Sequence, residues 1–408
     1  MDVRLRPDAE VLCQPFGSFL SSRTLNRFDV LNRPATGLLL HLVAGTSKSG
    51  LAAAASKADV DPASASSLLN ALDAKAYLVH RRPHEAQASI AFGDRPDVLK
   101  ATRAEIEVTN RCNLHCSYCY AEANTSRTEL SDAELLDLLQ GMLRHGLRAV
   151  LFSGGEPFVR RGFLDLVEQA AQRLIVEVNT NGWFITPERA TRLARANLKL
   201  VQVSLDSHTP GYHDEVRGKG SHARALRAVR LLVEAGVPTQ VNCVVTATNR
   251  PALSELQAFV LGMGARFRSE PITRTGFARA IPAQVWTDSF RASRDDTSHA
   301  SDLWDPALGF RPLCQAQVGY VAVSHRGYLK PCNMREAFFE PTVVPLVDTS
   351  SWWNSFYGDT LLATVATTAS KPNRRARALA QRSGAYSCDL QLAATVGDSR
   401  DRAPAHTV

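Results

Sequence analysis

The chain has 408 residues, of which 45% are hydrophobic and 21% are charged. This length is sufficient for two or three domains with sizeable cores, and the composition excludes disordered, fibrous and disulfide-stapled small proteins. The formal net charge is +7, but the last forty residues contain seven Lys or Arg against three Asp, so more than half of the excess lies there. The charge therefore gives no reason to expect nucleic acid as a partner.

The sequence also gives no indication of a membrane segment. No stretch approaches the roughly 18 consecutive apolar residues that a membrane span requires. The start, MDVRLRPDAE, alternates charges where a secretory signal would need an apolar run. We therefore expect a cytoplasmic protein with no membrane partner, in which clustered cysteines bind metal rather than form disulfides.

Residues 1–90 are predicted to form a small winged-helix-like α+β module. Its helices have the apolar spacing of buried faces, and the third has Asp61 as its N-cap and Pro62 at its first position. The predicted elements are two short strands around Gly17 within Val11–Ser22, helices at Pro34–Val43, after Gly50 and from Pro62, and a strand within Ala76–Arg82. Residues 83–102 lack sustained periodicity, and we assign 91–103 as a linker.

Residues 104–280 show a regular alternation of apolar strands and amphipathic helices. Six strands with five intervening helices predict a parallel sheet with right-handed crossovers, in an open or closed α/β barrel. The strands are predicted at AEIEV, AVLFS, IVEVN, KLVQVSL, TQVNCVV and ARFRSEP. In such sheets the chemistry collects at the carboxyl ends of the strands.

After the alternation ends, the chain is divided into three further segments. Residues 281–310 are predicted to be a spacer, and 311–360 contain a predicted hairpin, Gln317–Cys332, that turns at residues 325–327. Residues 361–408 form a basic tail without an apolar stripe, which we expect to be weakly ordered.

Three cysteines follow the first barrel strand in a C-x3-C-x2-C pattern: Cys112, Cys116 and Cys119. Three thiolates on a short loop can bind three irons of a cuboidal cluster and leave the fourth iron open. The alternative is a structural zinc loop, which would need four ligands, and the sequence contains no second C-x2-C pair.

These motifs resemble the radical S-adenosylmethionine (SAM) superfamily from about Ala104 to Thr273. The resemblance rests on the cysteine loop with Tyr118 before its last cysteine, followed in order by SGGEP after the second strand. It implies a partial (β/α)6 barrel, a [4Fe–4S] cluster and SAM. In the family the backbone and carboxylate of the glycine-rich element receive the SAM amino group, here Gly154, Gly155, Glu156 and Pro157. Taken alone, GGEP would be merely a turn that ends a strand.

The resemblance implies further SAM contacts at the ends of the next strands. Asn179 ends the third strand near the cofactor, Ser204 and Asp206 lie where related enzymes surround the ribose, and Arg217 matches an arginine that pairs with the SAM carboxylate. Each of these residues is also plausible as a surface or capping residue. We expect Cys243 and Cys13 to be structural.

The resemblance also implies the reaction. SAM chelates the open iron, and the reduced cluster cleaves the sulfonium to methionine and a 5′-deoxyadenosyl radical, which abstracts a substrate hydrogen. A one-electron donor such as flavodoxin or ferredoxin is needed. No residue beyond the cluster ligands is identified as catalytic, because nothing in the sequence selects among the bonds that such a radical can form.

The N-terminal module is similar to the peptide-recognition element of the pyrroloquinoline quinone chaperone family. Such elements bind the leader of a precursor peptide as an added strand, here at the edge of the first hairpin. The alternatives are a structural cap and a winged-helix DNA reader. A DNA-contacting helix at Pro62–Asp73 would contain no Arg or Lys.

The hairpin near the C-terminus resembles the beginning of the SPASM extension, which carries auxiliary iron–sulfur clusters. The sequence departs from that family because only Cys314, Cys332 and Cys388 are available, and two complete clusters would need about eight thiolates. Either one degenerate auxiliary site remains in a SPASM-like segment, or these cysteines are buried thiols.

We therefore expect a cytoplasmic radical SAM enzyme that modifies a ribosomally made precursor peptide. The alternatives are a radical SAM enzyme acting on a small molecule in cofactor or natural-product biosynthesis, and a noncatalytic peptide-binding protein with a vestigial core.

Overall fold

The computed structural model describes residues 3–14, 17–44, 46, 48–57, 60–80, 88–92, 102–144, 146–272, 276–281, 320–327 and 329–330. The N-terminal part contains β1 (Val3–Leu5), β2 (Ala9–Gln14), β3 (Gly17–Ser22), β4 (Arg27–Asn32), α1 (Arg33–Ala44), α2 (Lys48–Lys57), α3 (Pro62–Ala74), β5 (Leu78–His80) and β6 (Ser89–Phe92). The predicted hairpin and the three helices are confirmed. Asp61 caps α3, since its Oδ1 accepts a 2.9 Å hydrogen bond from the amide of Ser64.

The N-terminal strands pair more extensively than the sequence predicts. They form a four-stranded sheet in the order β4-β3-β2-β6, and β1 pairs separately with β5. The strands β1, β4 and β6 were not predicted, and β6 begins within the stretch that lacks periodicity. Because β2 pairs with β6 and β3 pairs with β4, both edges of the hairpin are covered. The expectation of a free hairpin edge is therefore wrong, since strand pairing between distant segments leaves no local signal.

The second part of the chain is a parallel barrel sheet with helices on its outer face. Its elements are β7 (Arg103–Glu107), α4 (Asp132–Arg144), β8 (Ala149–Ser153), α5 (Phe163–Ala171), β9 (Ile175–Thr180), α6 (Pro187–Arg195), β10 (Leu200–Ser204), α7 (Pro210–Arg217), α8 (Ser221–Glu234), β11 (Thr239–Val245), α9 (Leu253–Gly262), β12 (Arg266–Pro271), β13 (Tyr320–Val323) and β14 (Leu329–Lys330). The strand order is β12-β11-β10-β9-β8-β7-β13-β14. Seven strands are parallel, and β14 is antiparallel to β13.

The predicted six strands and five helices of the barrel are confirmed, while the short helix α7 was not anticipated. The predicted C-terminal hairpin is present as β13 and β14, with a turn in which the amide of Gly327 bonds the carbonyl of Ser324 at 2.8 Å. Its first strand extends the barrel sheet beside β7, which the local pattern could not indicate.

The two faces of the barrel sheet differ in polarity. Apolar side chains such as Ile106, Phe152 and Val203 are fully buried in one core with the helices. Alternate strand positions have polar side chains, among them Glu105 and Glu177. In the described part of the chain, none of the helices combines the length and the hydropathy that crossing a bilayer requires.

The N-terminal sheet packs against the amino ends of the barrel strands. Phe19 and Phe28 stack with ring centroids 5.3 Å apart and form a cluster with Ala149 and Ile175, the first residues of β8 and β9. The ammonium of Lys199 lies 3.5 Å from the centre of the Phe28 ring. The module therefore lies at the end of the barrel opposite the carboxyl ends of the strands.

Candidate active site

The three-cysteine loop follows β7 at the carboxyl edge of the barrel. Cys112, Cys116 and Cys119 are free thiols of intermediate exposure. The Sγ of Cys112 accepts hydrogen bonds from the amide of Leu114 at 3.4 Å and from Nδ2 of Asn181 at 3.8 Å. Hydrogen bonds of this kind to ligand sulfur are among the features by which proteins tune iron–sulfur clusters.

Burial disfavours the ionisation of two of the loop thiols. Burial raises the pKa of Cys112 to about 12, and the neighbouring thiols Cys116 and Cys119 add to the increase. Burial also raises the pKa of Cys116, although Arg217 opposes this. These thiols therefore need positive charge beside them to ionise at neutral pH.

The donor set fits a cluster better than a single ion. Among the described residues, no group of three His, Cys, Asp or Glu side chains is arranged to hold one metal ion. A cuboidal cluster binds each thiolate through a different iron, so its ligands need not converge on one point.

The glycines of the SGGEP element allow two loops to pack closely. A Cβ on Gly154 would lie 2.3 Å from the carbonyl oxygen of Thr109, and a Cβ on Gly155 would lie 2.3 Å from that of Arg111. The amide of Gly155 donates a 2.8 Å hydrogen bond to the Thr109 carbonyl. The glycines are thus required where this element contacts the cysteine loop.

Glu156 is completely buried beneath this contact. Its carboxylate accepts hydrogen bonds from the amide of Phe158 (3.1 Å), the hydroxyl of Thr180 (2.8 Å) and the amide of Asn181 (2.7 Å). Burial raises the pKa of Glu156 to about 7 against the effect of these bonds. Pro157 begins the short 3-10 turn that Glu156 caps. The carboxylate therefore joins the ends of β8 and β9.

Asn181, rather than Asn179, contacts the cysteine loop. Its Nδ2 also donates a 2.9 Å hydrogen bond to Oδ1 of Asn113. Asn179 lies within β9 in register with Gln202, and its Oδ1 is buried without a hydrogen-bond partner in the described structure. Ser204 ends β10 in register with Asn242 and is partly exposed.

Asp206 and Arg217 form a buried ion pair beside the cysteine loop. The Nε of Arg217 bonds Oδ2 of Asp206, and Nη2 lies 3.2 Å from Oδ1. The Tyr118 hydroxyl also donates to Oδ2, and the amide of Val244 donates to Oδ1 at 2.8 Å. Burial alone would raise the pKa of Asp206, but Arg217 outweighs it and holds that pKa below its ordinary value. The sequence did not indicate that Asp206 and Arg217 contact each other.

Two further features near the site were missed. Gly276 lies where a Cβ would be 2.2 Å from the carbonyl oxygen of Cys119, and the amide of Phe277 bonds the same oxygen at 3.0 Å. The chain after β12 therefore packs directly on the cysteine loop. His213 accepts a 3.1 Å hydrogen bond from the amide of Asp206, and burial lowers its pKa to about 4, so it is neutral. In the sequence the only signal for the first feature was the glycine itself, whose positive φ in the structure is a conformation that favours glycine.

The cysteines considered for an auxiliary cluster, Cys314, Cys332 and Cys388, lie outside the described residues. So do most of the predicted spacer and the whole predicted tail.

Comparisons with known proteins agree with this geometry. Residues 106–251 match the family model of the radical SAM superfamily. The chain is 37% identical over 185 residues to mycofactocin maturase MftC of Mycolicibacterium smegmatis, a match that covers 45% of this chain and 46% of MftC. It is 32% identical over 267 residues to AdoMet-dependent heme synthase of Oleidesulfovibrio alaskensis, a match that covers 56% of this chain and 69% of the heme synthase. The chain therefore spans about half the length of the maturase it matches.

A solved structure is similar in fold to this chain. Streptococcus suis SuiB, crystallised with its precursor peptide SuiA, superposes with a TM-score of 0.58 at 15% identity, over 90% of this chain and 91% of SuiB. The site has a cysteine loop at the carboxyl edge of a parallel barrel, with a glycine-rich contact beside it. This geometry agrees with the family and sequence matches, so the chain belongs to the radical SAM superfamily.

Proposed function

We propose that this protein is a radical SAM maturase that abstracts a hydrogen atom from a ribosomally made precursor peptide. The observation that carries the proposal is the combination of two units in one chain. A cysteine loop suited to a cluster occupies one end of the barrel, and a β-sheet module packs on the other end. The likeness in fold to SuiB and the sequence similarity to MftC support it.

Cys112, Cys116 and Cys119 would bind the [4Fe–4S] cluster, which supplies the electron for reductive cleavage of SAM when reduced by flavodoxin or ferredoxin. Around it, the chain has polar groups for the cofactor. We assign the backbone of Gly154, Gly155, Glu156 and Pro157 to the SAM amino end, because the Glu156 carboxylate is buried and already accepts three hydrogen bonds. We assign Asn179, Ser204 and Arg217 to the remaining polar groups, with Tyr118 beside them. Asp206 would hold Arg217 rather than contact the ribose.

The module, residues 1–90, would bind the leader of the precursor at a sheet edge. Among the described strands, β4 pairs only with β3 and β6 pairs only with β2, so these two are the outer strands. An extended peptide could add to β4 as a further strand with backbone hydrogen bonds. We therefore propose recognition at β4 instead of at the β2–β3 hairpin.

A small-molecule substrate is the second candidate. It is favoured by the match to AdoMet-dependent heme synthase, which extends over more of the chain than the match to MftC. The barrel interior of polar side chains suits either substrate.

Anaerobic reconstitution tests the enzyme proposal. We expect about four irons per chain and formation of 5′-deoxyadenosine in the presence of dithionite and SAM. Cys116→Ala should abolish the product, whereas Cys13→Ala, a matched change at a cysteine on β2, should not. Product formation by Cys116→Ala would contradict the proposal.

Coexpression with a short open reading frame beside the gene tests the substrate. A mass change of the peptide that requires Cys116 supports the maturase, and an unchanged peptide that also fails to bind the chain favours the small-molecule candidate. We further propose a cytoplasmic location, without nucleic-acid or membrane partners, because low-potential cluster chemistry needs a reducing compartment.

An auxiliary cluster at Cys314, Cys332 and Cys388 is tested by iron content. The Cys112→Ala/Cys116→Ala/Cys119→Ala variant would still bind iron if such a cluster exists. Iron content near zero would show that the three cysteines are thiols without a cluster.

A further inference from the structure

A cleft lies on the seam between the N-terminal sheet and the barrel. It has a volume of about 730 Å³ and lies between the β2–β3 hairpin and the C-terminal ends of α4 and α5. Its lining includes four arginines, two carboxylates and the apolar side chains of Leu143 and Ile175. The charged residues are Arg23, Arg144, Arg148, Arg173, Asp8 and Glu10.

The carboxylates of this cleft already have cationic partners. Glu10 forms an ion pair with Arg148. Asp8 pairs with Arg6 at 2.9 Å and accepts a 2.6 Å hydrogen bond from Ser22, and these contacts lower its pKa against the effect of burial. The acidic groups are therefore neutralised within the protein.

The remaining arginines lack such partners. Arg23 donates a hydrogen bond to the carbonyl of Gln172, at the end of α5. Arg144 and Arg173 are exposed and form no ion pair within the described residues. Three guanidinium groups thus line one cleft without an ion pair to a carboxylate among the described residues, and guanidinium groups suit the bidentate binding of carboxylates.

We propose that this cleft binds an acidic stretch of the peptide substrate. The inference rests on the proposed function and names a recognition site distinct from the sheet edge at β4. Peptide carboxylates would pair with Arg144, Arg173 and Arg23, while the half-buried side chain of Leu143 would contact an apolar side chain of the peptide.

The position of the cleft separates recognition from chemistry. Arg148 precedes β8, and the five residues of that strand extend about 17 Å toward the cysteine loop. A stretch bound in the cleft therefore lies outside the barrel interior, so it is a recognition segment and not the part that reacts. A peptide bound in the cleft would contact both the N-terminal module and the barrel.

Peptide binding by the reconstituted full chain tests the proposal. The probes are a fluorescein-labelled 12-residue peptide with four Glu, its counterpart with four Gln, and a labelled 12-nucleotide single-stranded DNA. We expect the Glu peptide to bind at least tenfold more tightly than the Gln peptide, and its affinity to fall as salt is raised. Equal binding of the two peptides, or tighter binding of the DNA, would overturn the proposal.

A charge-reversed pair locates the site. Arg144→Glu/Arg173→Glu should weaken binding of the Glu peptide at least tenfold, whereas the control pair Arg195→Glu/Arg230→Glu, at exposed positions on α6 and α8, should leave it unchanged. Equal losses in both pairs would refute a specific site. Formation of 5′-deoxyadenosine is measured in the same samples and should be unchanged. If the unaltered chain cleaves SAM but binds the Glu and Gln peptides equally, only the cleft proposal is rejected. If the unaltered chain does not cleave SAM, the proposed function is rejected.

Discussion

Asp206→Asn is expected to destabilise the protein substantially, because it leaves Arg217 as an uncompensated charge. The Asp206 side chain has no exposed surface, and that of Arg217 is 9% exposed. Removing one partner of a buried ion pair typically costs about 3–5 kcal/mol. The substitution also weakens the hydrogen bond from Tyr118, which connects this pair to the cysteine loop.

A double-mutant cycle separates the ion pair from its surroundings. Removing both charges in Asp206→Asn/Arg217→Met should cost no more than the more harmful single variant, because neither charge is then buried alone. Tyr118→Phe is the control, since it removes one hydrogen bond and should cost about 1 kcal/mol.

Urea unfolding of the metal-free chain, followed by circular dichroism under anaerobic reducing conditions, measures these differences. A loss below about 1 kcal/mol for Asp206→Asn, or additive losses in the double variant, would refute the argument. The pH dependence gives a second check. Because the folded-state pKa of Asp206 is lowered, its contribution is present above the ordinary value of 3.8 and is lost as the pH falls through the folded-state pKa.

Three further changes follow from other contacts. The pKa of Glu156 is raised to about 7, so the free energy of unfolding of the metal-free chain should fall as the pH rises from 4.5 through 7. Glu156→Gln should flatten that dependence in urea unfolding measured across this range, and an identical pH profile would contradict the prediction. Gly276→Ala should lower the iron content and slow 5′-deoxyadenosine formation, because the added Cβ would overlap the carbonyl of Cys119. A variant with the same iron content as the unaltered chain would contradict the contact between Gly276 and the cysteine loop. Phe28→Ala should lower the free energy of unfolding by about 3–5 kcal/mol and speed proteolysis between the module and the barrel, because it removes the ring that contacts Lys199 and Phe19. An unchanged rate of proteolysis would show that the contact between module and barrel does not depend on this ring.

The barrel was predictable because its signals are local. Each strand is a short apolar run, and a helix can have its own start signal, such as Ser131 and Glu134, whose reciprocal hydrogen bonds form a capping box before α4. The order of the motifs along the chain was sufficient to place Cys112, Cys116 and Cys119 at the carboxyl edge.

The sheet of the N-terminal module was less predictable. The strand β6 pairs in parallel with β2 across more than seventy residues, and β13 joins β7 from a segment more than two hundred residues away. Pairing partners at such distances leave no periodic signal in either strand, so the edges of both sheets could not be assigned.

Residue types and their order along the chain were sufficient to identify three clustered cysteines, a glycine-rich element and alternating strands and helices. Which of these groups meet could be read only from the folded chain. Glycines 154 and 155 allow loop contact, Arg217 is neutralised by Asp206, Asn181 approaches Cys112, and the module closes the far end of the barrel. The reason is that residue types and spacing specify local backbone and ligand capacity, whereas ion pairs and close approaches between distant segments depend on packing that only the folded chain contains.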